Sequence, residues 1–239
     1  MGSSYFRSLA RDSLRGKWGI AILAALLAAL FGALVTGSSI SFEYQSNEDT
    51  WQIVSRLPDF VEKYLRIAVS LGAVLSVVQL ILGGVIQLGY CKFLLNMEDG
   101  RQATIGDLFS QFHRFGAAFV MNLLRGIYIF LWSLLFIIPG IVAAYKYAMA
   151  PFILLEKPYL SPNEAITQSK EMMRGEKGAL FLLDLSFIGW GLLCALTLGI
   201  GSLWLNPYKN ASYAAFYRYL YPNFAAQPSQ DPPQTFVEE

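Results

Sequence analysis

Charge is what this chain has least of. Lys, Arg, Asp and Glu make up 15% of its 239 residues, where a soluble domain of this length carries about 25%. The net charge of +1 argues against a strongly electrostatic partner, so no nucleic acid is expected. His113 is the only histidine, which speaks against a histidine-based catalytic centre. Cys91 and Cys194 are the only cysteines, and both sit in or beside apolar runs. Neither has a His or Cys partner at ligand spacing, so we expect no structural disulfide, no metal and no other cofactor. No GxGxxG follows a strand-like run, which removes nucleotide binding. No nucleophile and base, and no metal constellation, stand out, so an enzyme is not expected.

Long apolar runs fill the space that charge leaves. Hydrophobic residues reach 55% and aromatics 15%, with a mean hydropathy of +0.43. Trp18 to Gly37, Ile67 to Cys91, Gly126 to Tyr145 and Leu185 to Asn206 contain no charged residue. About 20 apolar residues at 1.5 Å rise cross the hydrocarbon layer. The pattern predicts an all-α, polytopic membrane protein. The first run is too long for a signal-peptide core and lacks a small-residue cleavage site, so it reads as a retained anchor. Phe6 stands where a myristoylation signal needs Ser or Thr.

Lys and Arg gather on the cytoplasmic side of membrane proteins. Arg7, Arg11, Arg15 and Lys17 against Asp12 place the N-terminus inside. The 38–66 loop is acid-rich, with Glu43, Glu48, Asp49, Asp59 and Glu62 against Arg56, Lys63 and Arg66, which suits the outside. From Gly116 to Leu155 the chain is apolar except for Arg125 and Lys146. A hairpin turning at Pro139-Gly140 keeps the basic 156–177 stretch inside, and Pro-Gly is a strong turn signal. Gly178 to Thr197 and Ser202 to Tyr221 complete six spans with both termini cytoplasmic. One membrane domain over 1–222 is expected, followed by a polar, Pro-rich and disordered tail at 223–239.

A threefold repeat underlies the spans, in units of roughly 4–92, 104–156 and 161–221. Each opens on a short amphipathic segment, at Ser4 to Arg15, Thr104 to Phe115 and Ser161 to Arg174, fit to lie in the cytoplasmic headgroup layer. Phe6, Ala10 and Leu14 form the apolar row of the first. Ile105, Leu108, Phe109 and Phe112 do so in the second, and Ile166, Ser169, Met172 and Met173 mark one face of the third. Thr104/Asp107 and Ser161/Glu164 have capping-box spacing. Basic-glycine junctions follow (RGKWG, HRFG, RGEKG), and Tyr-Lys pairs close each unit: Tyr90 and Lys92, Tyr145 and Lys146, Tyr208 and Lys209.

Asp184 interrupts an uncharged, aromatic-rich run, and a carboxylate at that depth is a functional candidate by default. Arg125 lies at similar depth in the equivalent span, roughly 9–14 Å from the cytoplasmic side at 1.5 Å per residue. A structural Arg125–Asp184 pair is the leading expectation, with Lys146 and Lys209 as alternative partners and Tyr90, Tyr145 and Tyr208 as nearby donors. Snorkelling of Arg125 beside a hydrated Asp184, or a ligand or proton site, stay open. Tyr90, Lys92, Tyr145, Lys146, Asn206, Tyr208 and Lys209 are candidate ligand or lipid-headgroup contacts. Asn206-Pro207 reads as a kink or break in the last span. Gly83-Gly84, Gly189, Gly191, Gly199 and Gly201 suit close helix packing. Trp18, Trp204, Tyr217, Tyr219 and Tyr221 fit an aromatic belt.

LARDSLRGKWG at 9–19, PGIVAAYKYAMAPFILLE at 139–156, EAITQSKEMMRGEKGALFLLDLSFIGW at 164–190 and LTLGIGSLWLNPYKNASYAAFYR at 196–218 resemble a bacterial membrane family, domain of unknown function 975. A more distant similarity is to the membrane domain of glycerophosphodiester phosphodiesterases. The resemblance implies a bacterial plasma-membrane location and brings no activity or site residue with it. The 38–66 loop departs from it in length. Three functions then compete. The leading one is a non-enzymatic protein that binds lipid or another amphipath, or docks a membrane partner or a second copy. A small-solute or amphipath transporter using the Arg125/Asp184 region is the alternative, and an intramembrane enzyme ranks last.

Overall fold

The computed structural model of the chain describes residues 2–30, 59–197 and 199–225. Among them it is helical with no strand: α1 (Ser3–Leu14), α2 (Trp18–Leu30), α3 (Asp59–Glu98), α4 (Gly106–Phe109), α5 (Phe115–Leu135), α6 (Ile137–Lys146), α7 (Ala150–Glu156), α8 (Pro162–Met172), α9 (Lys177–Leu185), α10 (Ile188–Leu196) and α11 (Ser202–Ala225). Most of the 38–66 loop and the tail beyond Ala225 lie outside the described residues, and α11 itself passes the expected boundary at 222. Among the described residues, three stretches are long and apolar enough to cross a membrane, Gly106–Leu135, Ile138–Glu156 and Lys177–Leu196, while Trp18–Ala29 is a shorter apolar helix. That is compatible with a membrane protein.

The helices meet in a packed base. There α3 and α11 pack on each other and on α1 and α2, and α3 also carries α4, α5 and α7. Phe6, Ala10 and Leu14, one row of α1, are fully buried against it, with the Phe6 ring edge-on to Phe216 at 4.9 Å. Tyr90, Phe93 and Leu94 of α3 and Phe152 of α7 add to the same core. Burying each such side chain contributes about 1.5–3 kcal/mol. On α8 the expected face is buried (Ile166, Ser169, Met172, Met173). Its capping box forms in full: Ser161 N–H donates to Glu164 Oε2 at 2.7 Å, and Glu164 N–H to Ser161 Oγ at 3.3 Å.

Three local expectations are corrected. Thr104 to Phe115 is not one helix but the single turn α4 followed by a 3₁₀ turn at Phe112–Arg114. Thr104 supplies only half a capping box: its amide and hydroxyl both donate to Asp107 Oδ2, while the Asp107 amide donates to the Thr104 carbonyl and not to its hydroxyl. The hairpin turns at Phe136, not at Pro139-Gly140. Phe136 is the one extended residue between α5 and α6 (φ −160°, ψ 151°). Pro139 then sits in the first turn of α6, where its missing N–H costs nothing. Gly140 lets the returning helix close on α5, since a Cβ there would fall 2.9 Å from Ser133 Cα.

The third correction is a break nobody would place from hydropathy. The run from Gly178 to Thr197 divides at Ser186-Phe187. Ser186 Oγ donates to Leu183 O at 2.6 Å, and Phe187 N–H turns to Asp184 O, three residues back. A serine hydroxyl that competes for a backbone carbonyl is a recognised cause of such a break. The reverse holds at Asn206-Pro207, where α11 runs on without interruption.

Candidate functional site

Asp184 lies at the C-terminal end of α9, where α9 meets α6, and reaches Lys209 on α11. Tyr145 Oη of α6 donates to Asp184 Oδ2 at 2.9 Å and Tyr213 Oη of α11 at 2.8 Å. Lys209 Nζ sits 3.2 Å from Oδ1. Both charged side chains are about four-fifths covered, at 19% and 22% exposure. Two tyrosine hydroxyls and one ammonium hold the carboxylate, and the cluster ties α6, α9 and α11 together.

Arg125 is elsewhere. Its Nη2 donates to Gln87 Oε1 of α3 at 3.3 Å and to Asn122 Oδ1, one turn back on α5, at 3.5 Å. The structure therefore does not bring Arg125 and Asp184 together: equal depth in equivalent spans said nothing about which face each residue takes. α5 turns Arg125 toward α3, whereas α9 turns Asp184 toward α6 and α11. Lys146, the other alternative partner, lies over the Trp132 ring at 5.0 Å. Lys209, the remaining alternative, is the partner found.

The other candidates disperse. Tyr90 is fully buried beside Phe93. Lys92 Nζ donates to Ser110 Oγ at 3.1 Å and pairs with Asp107 at 3.7 Å. The Asn206 carbonyl accepts from Asn210 Nδ2 at 2.8 Å. Tyr208 Oη donates to the Arg7 carbonyl at 3.2 Å. Tyr217, expected in an aromatic belt, is fully buried and stacks on Phe152 at 5.1 Å.

Two features escaped the sequence reading. One is an ionic node at the base. Arg218 Nη1 bonds Glu156 of α7 and its Nη2 reaches Asp99 Oδ2 at 2.6 Å, while Tyr217 Oη donates to Glu156 Oε2 at 2.7 Å. Nearby, burial raises the Glu98 carboxyl above its ordinary range, against the pull of the Ser13 hydroxyl and Arg218. Burial lowers the Arg114 guanidinium, which donates to the Leu154 and Pro158 carbonyls. The spacing of Lys209 and Tyr213, one helical turn apart, was the available signal for the Asp184 cluster. Nothing local announced the Arg218 node.

The other feature is a crevice of about 700 Å³ where α1, α2, α10 and α11 adjoin. Arg7, Arg11 and Trp18 stand among its walls, with Trp190 and Leu193 of α10 and Trp204 of α11. Its size lies in the 300–1,000 Å³ range of small-molecule sites, which are mostly apolar with a few placed polar groups. Cys194, a free thiol, also faces it. Neither a curated protein nor a solved structure matches the chain, and the similarity to glycerophosphodiester phosphodiesterases is not among the matches. One family model covers residues 1–146 and 134–223, so the chain belongs to the family described as protein of unknown function (DUF975).

Proposed function

We propose that this chain is a non-catalytic, six-span protein of the bacterial plasma membrane, with both termini cytoplasmic, that binds a lipid or similar amphipath in the crevice between α1, α2, α10 and α11. The observation that carries the reading is the lining of that crevice: three tryptophans and aliphatic side chains along its walls, with two arginines among them. An amphipath needs such a division between apolar wall and cationic group. The six spans take in α2, the middle of α3, α5, α6 with α7, α9 with α10, and α11. The apolar surface of the hairpins supports insertion: Leu134, Ile138 and Leu196 are 76%, 75% and 80% exposed. In water such surface is costly, at roughly 25 cal/mol per Å²; against lipid tails it is not. The threefold repeat remains part of this proposal, supported by the recurrence of basic-glycine junctions and Tyr-Lys pairs along the sequence.

Cys194 makes the reading testable. Cys91 is fully buried, so alkylation of the native protein by N-ethylmaleimide reports on Cys194. Purified in a neutral detergent, the protein should carry a stoichiometric amphipath in native mass spectrometry, and added lipid should slow Cys194 alkylation. A bare chain whose thiol reacts equally fast with and without lipid would sink the proposal.

A further inference from the structure

The cationic part of the crevice is built from α1. Arg7 and Arg11 lie one helical turn apart, so their side chains share a face, and both border the crevice. The described ion pairs use Lys92, Arg101, Lys209 and Arg218, and neither Arg7 nor Arg11 has a carboxylate within 4 Å among the described residues. Arg7 Nε is also buried without a hydrogen-bond partner. A buried guanidinium donor left unmatched is unfavourable, and this one belongs to a side chain facing an apolar crevice. The contrast with the base lies in charge: Arg218 Nη1 and Nη2 meet Glu156 and Asp99, although its Nε too is buried without a hydrogen-bond partner.

We infer that Arg7 and Arg11 hold the anionic phosphate headgroup of a phospholipid whose acyl chain lies along Trp190, Leu193 and Trp204. The inference rests on the amphipath reading of the same crevice. A guanidinium presents five donors in a planar fork that matches phosphate oxygens two at a time. Two guanidiniums a turn apart can share the several oxygens of a phosphate, whereas a carboxylate is satisfied by one. A headgroup with its own ammonium brings a compensating cation to two uncompensated arginines and is disfavoured. The site therefore selects net-anionic phospholipid over zwitterionic lipid with identical chains.

The test is a native mass spectrometry titration of the full chain in neutral detergent. The probes are dioleoyl phosphatidylglycerol, dioleoyl phosphatidylcholine and sodium phosphate. The wild type should reach half-occupancy with phosphatidylglycerol at a concentration about tenfold or more below that for phosphatidylcholine. Arg7→Gln with Arg11→Gln should bring the two lipids together while phosphatidylcholine still binds. Arg11→Gln alone, at an exposed side chain, should give an intermediate ratio if the double variant folds poorly. Arg15→Gln, one turn further on, should change nothing. Equal binding of both lipids by the wild type, with Cys194 still protected, overturns the headgroup assignment and leaves the amphipath reading standing. Binding of neither lipid removes both. Displacement of phosphatidylglycerol by sodium phosphate alone overturns the lipid assignment in favour of a free phosphate.

Discussion

Phe152 and Leu134 belong to the same apolar block of the chain, yet Phe152 exposes none of its surface and Leu134 exposes 76%. The first sits in the base, among stacked rings and ion pairs. The second sits near the tip of the α5–α6 hairpin, among side chains that touch little but one another. The tip where α10 returns into α11 repeats the pattern, with Ile188, Leu192, Leu196 and Trp204 more than half exposed. On the membrane reading the two regions answer to different solvents. The base must exclude water and pair most of the polar groups it buries, so it is jigsaw-packed and largely hydrogen-bonded, with Tyr90 Oη, Glu98 Oε2 and Arg218 Nε left without a partner. The tips need only be apolar and internally hydrogen-bonded, which helices already are.

The largest expected effect is at the base. Gly89 has no room for a side chain, since a Cβ would fall 2.0 Å from Leu108 O. Gly89→Ala should abolish folded yield in detergent, whereas Gly191→Ala, with nothing within 4 Å of its Cβ, should be as stable as wild type or better by up to about 1 kcal/mol. Equal effects at the two glycines would erase the distinction between base and tip. Phe152→Ala should cost about 3–5 kcal/mol in thermal unfolding followed in micelles, and Leu134→Ala under about 0.5 kcal/mol. Asp184→Asn comes next, at about 2 kcal/mol after allowance for its partial exposure, because it strands Lys209. Adding Lys209→Met should recover part of that loss. An Arg125/Asp184 charge swap should recover none, and a rescue by the swap would contradict the placement of both residues.

The smallest effect is a pH dependence at the base. The Glu98 carboxyl is raised in the folded protein, chiefly by burial, so folding favours its protonated form. Its contribution to stability is present below the ordinary carboxyl range and is lost as pH rises through that range to the folded value. Glu98→Gln, neutral throughout, should therefore stabilise the protein slightly at neutral pH and lose its advantage in acid. A gain of the same size at every pH would mean that the carboxylate's burial is not the cause.

How much of this was legible beforehand varied with the range of the interaction. The capping box of Ser161 and Glu164 follows from spacing along one helix, and it is there. The apolar rows of α1 and α8 were legible too, but they bury against other helices of the chain where the headgroup layer was expected. Tyr145 and Lys209 were rightly placed near Asp184, though Lys209 ranked behind Arg125 as its partner. The Phe136 turn was missed by three residues because Pro and Gly act here through the first turn of the next helix and its close approach, not as the turn itself. Tyr217 was read as a belt residue because its composition suits an interface, and only the neighbouring Phe152 and Glu156 explain its burial. The glycines divide the same way: Gly84 does admit close packing, a Cβ falling 2.5 Å from Ala118 O, while Gly189 and Gly191 face nothing.

By itself the sequence determined the helical class, the apolar stretches long enough to cross a membrane and the family, because hydropathy and local spacing are properties of contiguous residues. The partners of Asp184, the isolation of Arg125 from any carboxylate among the described residues, the closure of Arg218 and the crevice beside Arg7 were decided only by tertiary structure. Each depends on the face that one helix turns toward another, and that rotation is set by the packing of side chains far apart in the chain.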